Sequence, residues 1–433
     1  MSSDDSPTTL PLAVPSQPPA NSPNPTVRRA RRKMIREVIS QTKLTDRQLR
    51  EVLAEAHESG TMLFDGQFAR RYVKQSFLTD EEASRVLWRK TEDLVLFHMR
   101  HTSVYASTFT LSTDGHGVLE LWWREKEPKI PPVLLGCPGI ALREVYEHPA
   151  KDIIPDCHNA DFLKPGSKLV SLSGPIYRNP APFGTLGCLL TVERDEAKQH
   201  VIVTAGHVLD DDGDKIHAED IANDSFVVLK TIPKFERTLG CPGFRRSSQR
   251  NRCLDEICFL EVPESISAGQ LPCCLGDVDC IGLPPSEDPS VPSLFPGDLD
   301  PEVLRLWVAS SESVRVFKNG SGTGRTTGKL VLISKVRTDD PSLDQTTAYQ
   351  MQVKWTDPAI PFAEGGDSGS LVFATDGTKI IPLGIHFGSR GIHSFAYMLY
   401  SWVSEVELEF DVDVYFCSTA NCTPGSRNMI VMC

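Results

Sequence analysis

The feature that most limits the possible folds is a series of short apolar runs between residues 167 and 411, separated by turn residues. Runs of this length favour strands over helices, and about 245 residues is a normal length for one all-β domain. The stretch 275–312 interrupts the series, and its many prolines and acidic residues predict an inserted surface loop. The runs read LGCLLTV, HVIVTA, EICFLEV, GKLVLIS, YQMQVKW, GSLVF and KIIPLGIHF.

The residues before this domain differ from it in composition and in their predicted secondary structure. Residues 1–27 are mostly Pro, Ser, Thr and Asn, which predicts a disordered tail. Within 28–165, Thr45 with Gln48 and Thr79 with Glu82 have the spacing of capping boxes, so a helix is predicted after each threonine. A strand pair around Asp114–Gly115 should follow, which makes 28–165 a helical or α+β accessory region. Residues 412–433 form a C-terminal tail with no recognisable pattern.

Charge and composition exclude several functional classes. The formal net charge of −12 argues against general nucleic-acid binding, and no apolar stretch is long enough to predict a membrane span. The beginning of the chain lacks the layout of a secretory signal, so we expect a cytoplasmic or nuclear protein whose twelve cysteines are reduced. A basic cluster in 28–36 is either a nuclear-import signal or a solvated helix face, and a basic loop in 234–252 either steers an acidic partner or is solvated.

Two segments carry residues for acyl transfer by a serine. In GGDSGSLV (365–372), glycines on both sides of Ser368 allow a tight turn that exposes the hydroxyl and directs backbone N–H groups inward. In VTAGHVL (203–209), His207 follows the end of an apolar strand, where an imidazole can accept a proton.

In this order, the two segments resemble the trypsin-like serine peptidases, which show T-A-A/G-H first and G-D-S-G last. A third segment, VFKNGSGTGRTTG (316–328), is similar to the K-x-G-x-x-T-G-x-T-x-G signature of bacterial-type members. A fourth, LGIHFG (383–388), resembles the substrate-binding strand that follows the nucleophile. The resemblance implies an all-β double β-barrel peptidase domain over 166–411, preceded by the helical or α+β region.

The resemblance also implies an acid between the histidine and the serine, in the segment LDEICFLEV (254–262). The family pattern of an acid followed by apolar, small, apolar and apolar residues fits Glu256. Asp255 has the usual residue type but leaves Glu256 at an apolar position, so both remain candidates.

Other roles come from the same resemblance. The backbone N–H groups of Gly366 and Ser368 are the implied oxyanion donors. In secreted relatives the aspartate at the position of Asp367 pairs with a newly cleaved N-terminus. No matching cleavage site precedes this domain, so Asp367 is expected to bond to nearby backbone or to a basic side chain. A cysteine after the histidine is absent, because Val208 stands there, and Cys188 is therefore expected to be a buried thiol.

Three residues are implied to line the substrate pocket. Phe362, six residues before the nucleophile, offers no charge for a Lys or Arg side chain, and Ala363 follows it. His386 is either a donor to a substrate carboxylate, as in glutamate-cutting relatives, or a histidine satisfied inside the barrel. These residues predict cleavage after Glu, Asp or a medium apolar residue.

Together these observations predict a serine endopeptidase that acts on proteins or peptides through a Ser–His–acid triad, with no metal or cofactor. Two alternatives remain: an inactive peptidase-fold module that binds a protein partner, and an esterase-like acyl transferase using the same triad. The sequence leaves the oligomeric state open.

Overall fold

The fold was analysed in a computed structural model. It describes residues 25–123, 127–144, 166, 168–171, 183–194, 197–208, 216–220, 225–231, 257–261, 304–305, 308–309, 314–337, 347–357, 359–375, 380–417 and 429–431.

Four helices open the described part of the chain: α1 Pro25–Gln41, α2 Asp46–Ser59, α3 Gly66–Arg70 and α4 Asp80–His98. Both predicted capping boxes are present, with Thr45 at the start of α2 and Thr79 at the start of α4. Each threonine hydroxyl accepts from the backbone three residues later, which satisfies a donor that the helix leaves unpaired. Trp88 of α4 packs edge-on against Phe109 within one continuous apolar core.

A three-stranded unit follows the helices: β1 Val104–Leu111, β2 Gly117–Trp123 and β3 Ile140–Glu144. The predicted turn between β1 and β2 exists, and Gly115 adopts φ +78°, a conformation that glycine accommodates without strain. β3 lies parallel to β2. At its other edge, β1 pairs with a strand of the C-terminal domain, with Ser107 opposite Lys335. The N-terminal strands therefore extend a sheet of that domain.

The first sheet contains the segment that carries His207. Its strand order is β18-β17-β6-β7-β10-β9-β8-β4-β5, and no pairing among the described residues closes it. Its strands are β4 Lys168–Ser171, β5 Phe183–Thr185, β6 Cys188–Arg194, β7 Ala197–Thr204, β8 Ile216–Asp220, β9 Ser225–Thr231, β10 Cys258–Glu261, β17 Asp413–Cys417 and β18 Met429–Val431.

The second sheet closes into a six-stranded antiparallel barrel in the order β11-β14-β15-β16-β13-β12, with β12 pairing back to β11. Closure leaves no free edge within the ring, and β12 is long enough to pair with β1 beyond it. The α5 helix, Leu399–Phe410, follows the last of these strands. The strands are β11 Val314–Gly320, β12 Gly324–Arg337, β13 Thr347–Trp355, β14 Leu371–Thr375, β15 Ile380–Arg390 and β16 His393–Met398.

This architecture confirms the predicted fold class, a double-barrel β domain with a helical and α+β region before it. The segment boundaries at 165 and 411 stay predictions, and sheet pairing runs across both of them. β1 joins the second sheet, and β17 joins the first sheet through its pairing with β6.

Charged side chains also connect the helices to the β domain. Glu92 of α4 forms a bidentate ion pair with Arg305, at 2.7 and 2.9 Å, and both side chains are fully buried. The neighbouring Asp93 pairs with Lys335 of β12 at 2.6 Å. These contacts, together with the β1–β12 pairing, fix α4 against the second barrel.

Two arginines of the basic cluster are engaged within the molecule. Arg31 pairs with Glu82 of α4, and Arg32 pairs with Glu407 of α5 while lying over the ring of Tyr400. These two side chains are therefore not simply solvated, and the import signal stays a prediction. The basic loop 234–252 lies outside the described residues. So does the predicted surface loop 275–312, except for residues 304–305 and 308–309, where Leu304, Arg305 and Val308 are buried and not exposed as a surface loop would be. No helix that the structure describes is both long and apolar enough to cross a membrane.

Candidate active site

The proposed nucleophile lies in a tight turn, residues 364–370, immediately before β14; we call it the nucleophile turn. Ser368 is partly exposed, whereas Asp367 and Ser370 on either side are buried. Gly366 and Gly369 have φ of +92° and +95°, in the region that favours glycine. A Cβ on Gly369 would also approach the Thr185 carbonyl oxygen and the Thr204 hydroxyl to 2.2 Å. Backbone conformation therefore favours glycine at both positions, and close packing excludes a larger residue at Gly369.

Backbone hydrogen bonds hold this turn and leave two donors available. The N–H of Asp367 donates to the Glu364 carbonyl at 3.1 Å, and that of Gly369 donates to the His386 carbonyl at 2.8 Å. The N–H groups of Gly366 and Ser368 donate to no acceptor within the described part of the chain. These are the two donors predicted for the oxyanion, which needs N–H groups that no protein acceptor occupies.

Asp367 is held by the hairpin turn between β11 and β12. Its carboxylate forms an ion pair with the Lys318 ammonium at 2.8 Å, and both side chains are fully buried. The same carboxylate accepts from the Gly322 N–H at 2.8 Å and from the Thr323 hydroxyl at 2.7 Å. It also accepts from the N–H of Glu364, within its own turn, at 3.0 Å. Asp367 was expected to bond to nearby backbone or to a basic side chain, and in the structure it bonds to both.

The charge state of the pair follows from its surroundings. Burial by itself would raise the pKa of Asp367, but the Lys318 ammonium and the N–H and O–H donors hold that pKa below its usual value. Burial lowers the pKa of Lys318, and the carboxylate opposes that shift. The donor count around Asp367 favours the ionised carboxylate, with the ammonium as its counter-charge.

The segment carrying His207 reaches the same place from the first sheet. β7 ends at Thr204, and a short 3-10 turn, Gly206–Val208, follows it. A Cβ on Gly369 of the nucleophile turn would lie 3.1 Å from the backbone nitrogen of Ala205, two residues before His207. Gly184 shows how close the two segments are, because a Cβ there would approach a Val208 methyl to 2.3 Å and the Ser368 carbonyl oxygen to 2.8 Å. The His207 side chain is not among the described parts of the chain, so its contact with the Ser368 hydroxyl stays a prediction.

Both candidate acids, Asp255 and Glu256, lie outside the described residues. The strand that follows them is described: Ile257 is buried, and Cys258 of β10 pairs with Thr204, three residues before His207. The choice between the two acids therefore stays a prediction.

The predicted pocket residues lie in and beside the second barrel. Phe362 and Ala363 are buried in its apolar core, and the Lys318 ammonium lies 5.7 Å from the centre of the Phe362 ring. No carboxylate stands at position 362, so nothing at this position would attract a basic substrate side chain.

His386 on β15 is 2% exposed and belongs to a chain of polar contacts. Its Nε2 lies 3.2 Å from the Ser389 hydroxyl, which lies 2.8 Å from the Ser394 hydroxyl. The Trp355 indole N–H donates to Ser394 at 3.1 Å. This chain fixes the ring orientation, and it is compatible with either predicted role of His386.

Sequence reasoning assigned no individual role to Lys318, Thr323, Thr185 or Ser321, although all four contact the nucleophile turn. The sequence signal was the K-N-G-S-G-T-G segment, which resembles the bacterial-type signature. The resemblance did not indicate which residues of the segment contact the nucleophile turn. Cys188 is a buried free thiol, as expected. Among the described residues, no group of three or more His, Cys, Asp and Glu side chains could hold a metal ion.

Comparisons with known proteins return solved structures of serine proteases. The Rv3671c protease of M. tuberculosis in its active form is 14% identical, with a TM-score of 0.32, over 66% of this chain and 99% of that one. Cellulomonas bogoriensis chymotrypsin is 15% identical, with a TM-score of 0.28, over 58% and 97% of the two chains. A human astrovirus serine protease is 13% identical, with a TM-score of 0.21, over 49% and 90%.

No protein-family model matches the chain, and no curated protein matches it. The three TM-scores all lie below 0.5.

Proposed function

We propose that this protein is a serine endopeptidase with Ser368 as nucleophile and His207 as general base. Glu256 is the proposed orienting acid, with Asp255 as the alternative. The observation that carries the proposal is the meeting of the two motif segments: Ser368 lies in a glycine-bounded turn packed against the segment of His207. Two N–H groups of that turn, on Gly366 and Ser368, have no acceptor among the described residues.

The proposed reaction proceeds in two halves. The Ser368 oxygen attacks the peptide carbonyl carbon while His207 takes the hydroxyl proton, and the Gly366 and Ser368 N–H groups stabilise the negative oxygen that forms. His207 then gives the proton to the amine nitrogen as the C–N bond breaks, which leaves an acyl-enzyme. In the second half, a water oxygen attacks the acyl carbon while His207 takes a proton from the water. The bond between that carbon and the Ser368 oxygen then breaks, His207 returns the proton to the Ser368 oxygen, and the carboxylic acid product is released.

A labelling experiment tests the nucleophile. A fluorophosphonate probe should label the full-length protein, whereas Ser368→Ala and His207→Ala should show no labelling above background. Ser401→Ala serves as a control, because the Ser401 hydroxyl bonds, among the described residues, to a backbone carbonyl at the start of α5. Labelling of Ser368→Ala at the wild-type level would disprove the assignment.

The choice of acid is tested by two amide substitutions. Glu256→Gln should reduce turnover more than Asp255→Asn, because an amide at the orienting position favours the wrong imidazole tautomer. The opposite order would assign the role to Asp255. If neither substitution changes turnover, the triad has no third member, and the inactive-module alternative gains support.

For the substrate, we propose cleavage after Glu, Asp or a medium apolar residue. The proposal is supported by the uncharged Phe362 and by His386, whose ring is oriented by Ser389. Cleavage-site profiling on a denatured proteome, with Ser368→Ala as the blank, measures the preference directly. Dominant cleavage after Lys or Arg would contradict the pocket assignment.

A further inference from the structure

The carbonyl of Gly366 makes contacts that the proposed mechanism does not use. It accepts a hydrogen bond from the Thr185 hydroxyl at 2.7 Å and another from the Ser321 hydroxyl at 2.8 Å. Thr185 ends β5 of the first sheet, whereas Ser321 belongs to the hairpin turn between β11 and β12 of the second. One carbonyl of the nucleophile turn is therefore bound by a hydroxyl from each of the two sheets.

The donors and acceptors in this cluster can all be satisfied. Each hydroxyl has one proton, and the Gly366 carbonyl has two lone pairs, so both protons can point at it. The Thr185 oxygen then accepts from the Ser321 N–H at 2.9 Å. Thr185 is fully buried and Ser321 is 8% exposed, so water could not readily replace either hydroxyl.

The bound carbonyl belongs to the peptide unit between the two oxyanion donors. That unit joins Gly366 to Asp367, and its N–H donates to the Glu364 carbonyl. The peptide before it carries the Gly366 N–H, and the peptide after it carries the Ser368 N–H. Fixing the middle unit at both its carbonyl and its N–H limits rotation about the bonds that orient both donors.

We propose that Thr185 and Ser321 are positioning residues for the oxyanion site, holding the middle peptide so that both N–H groups converge on one point. The proposal rests on the proposed peptidase function. The two N–H donors lie beside the second sheet, and His207 follows a strand of the first sheet. A carbonyl bound by hydroxyls from both sheets therefore also fixes the position of the donors relative to the general base. Thr204 helps to fix the backbone of Thr185, because its hydroxyl donates to the Thr185 carbonyl at 2.8 Å.

The test measures turnover of p-nitrophenyl acetate by the full-length protein, since ester hydrolysis uses the oxyanion site without requiring a particular peptide sequence. Thr185→Val removes the hydroxyl but keeps the branched shape, and Ser321→Ala removes the other. Each should lower kcat about ten-fold with little change in KM, because the lost interaction orients groups that act in the transition state. Thr185→Ser, which keeps the hydroxyl, should recover most of the activity.

Two control variants separate positioning from general stability. Thr191→Val removes a hydroxyl that bonds to His200 elsewhere in the first sheet, and Ser334→Ala removes one that bonds to Thr108. Both controls should keep the wild-type kcat, whatever their melting temperatures.

The outcomes distinguish the two levels of the proposal. If the wild type shows Ser368-dependent hydrolysis but Thr185→Val and Ser321→Ala keep the wild-type kcat, the positioning roles are disproved and the peptidase assignment stands. If the wild type shows no Ser368-dependent hydrolysis, the proposed function fails, and the positioning roles fail with it.

Discussion

Two ion pairs among the described residues are fully buried, and they lie in different regions. Lys318 and Asp367 meet under the nucleophile turn, whereas Glu92 and Arg305 meet where helix α4 packs on the second barrel. Each carboxylate also accepts hydrogen bonds from groups other than its ion-pair partner. The Asp367 carboxylate also accepts from Gly322, Thr323 and Glu364, and Glu92 also accepts from the Ser107 hydroxyl.

The difference lies in what each pair holds in place. Asp367 directly precedes Ser368, and its N–H belongs to the peptide between the two proposed oxyanion donors. Glu92 holds a helix against a barrel and touches no residue of the nucleophile turn that the structure describes. Because desolvating two charges costs about as much as their attraction returns, neither pair is expected to add much net stability over an apolar replacement. Substituting the carboxylate of each pair should therefore show whether that pair keeps the nucleophile turn or helix α4 in position.

The largest expected effect comes from Asp367→Asn. The substitution keeps the shape but leaves the Lys318 ammonium without its counter-charge, so the nucleophile turn should rearrange. We expect kcat on p-nitrophenyl acetate to fall by about 100-fold or more, the scale of losing an oxyanion donor. The free energy of unfolding should fall by about 3–5 kcal/mol, the cost of an uncompensated buried charge.

A matched substitution at the other pair comes next. Glu92→Gln removes the carboxylate from the buried ion pair with Arg305, so the free energy of unfolding should also fall by about 3–5 kcal/mol, measured by denaturant titration. At a temperature where the variant stays folded, kcat should remain within about two-fold of wild type, since the sites share no partners. Asp93→Asn is the control and should cost less, because Asp93 is partly exposed. An equal loss of kcat in Glu92→Gln and Asp367→Asn would erase the distinction between the two regions.

Acid should weaken both pairs. The pKa of Glu92 is lowered: burial would raise it, but Arg305, Lys335 and the hydrogen bonds to Arg305 and Ser107 outweigh that cost. The pKa of Asp367 is lowered in a similar way by Lys318. A carboxyl whose pKa is depressed by folding stabilises the protein above its unfolded pKa, about 4, and loses that stabilisation as pH falls through the folded value. Thermal unfolding from pH 7 to pH 2 should show melting temperature falling below about pH 4, with a shallower fall in Glu92→Gln.

The smallest effect concerns a buried ionisable group without a counter-charge. Cys188 lies in the first sheet, and burial raises the pKa of its thiol well above the usual range, so it stays neutral. Iodoacetamide at pH 8 should modify the half-buried Cys137 well before Cys188 in the folded protein, with mass spectrometry of the peptides as the measurement. Early modification of Cys188 would show that the first sheet opens readily.

Much of the local structure was predictable because its signals are local. The capping boxes at Thr45 and Thr79 each depend on residues three positions apart, and both are present. The apolar runs became strands β6, β7, β10 and β12 to β15. Helix α5 was missed, since Met398 at its start provides no side-chain cap, and its buried Leu399, Val403 and Val406 follow directly on an apolar strand.

By itself, the sequence determined the strand-rich domain, the helices before it, and the two motifs that carry Ser368 and His207. Only the tertiary structure decided that Lys318 is the partner of Asp367, 49 residues away, and that Thr185 and Ser321 meet on one carbonyl from positions 136 residues apart. It also decided that β1 extends the second barrel. Helix caps and strand periodicity depend on neighbours in the chain. A buried charge or carbonyl instead takes its partner from whichever segments the closed barrel and the adjoining sheet bring together.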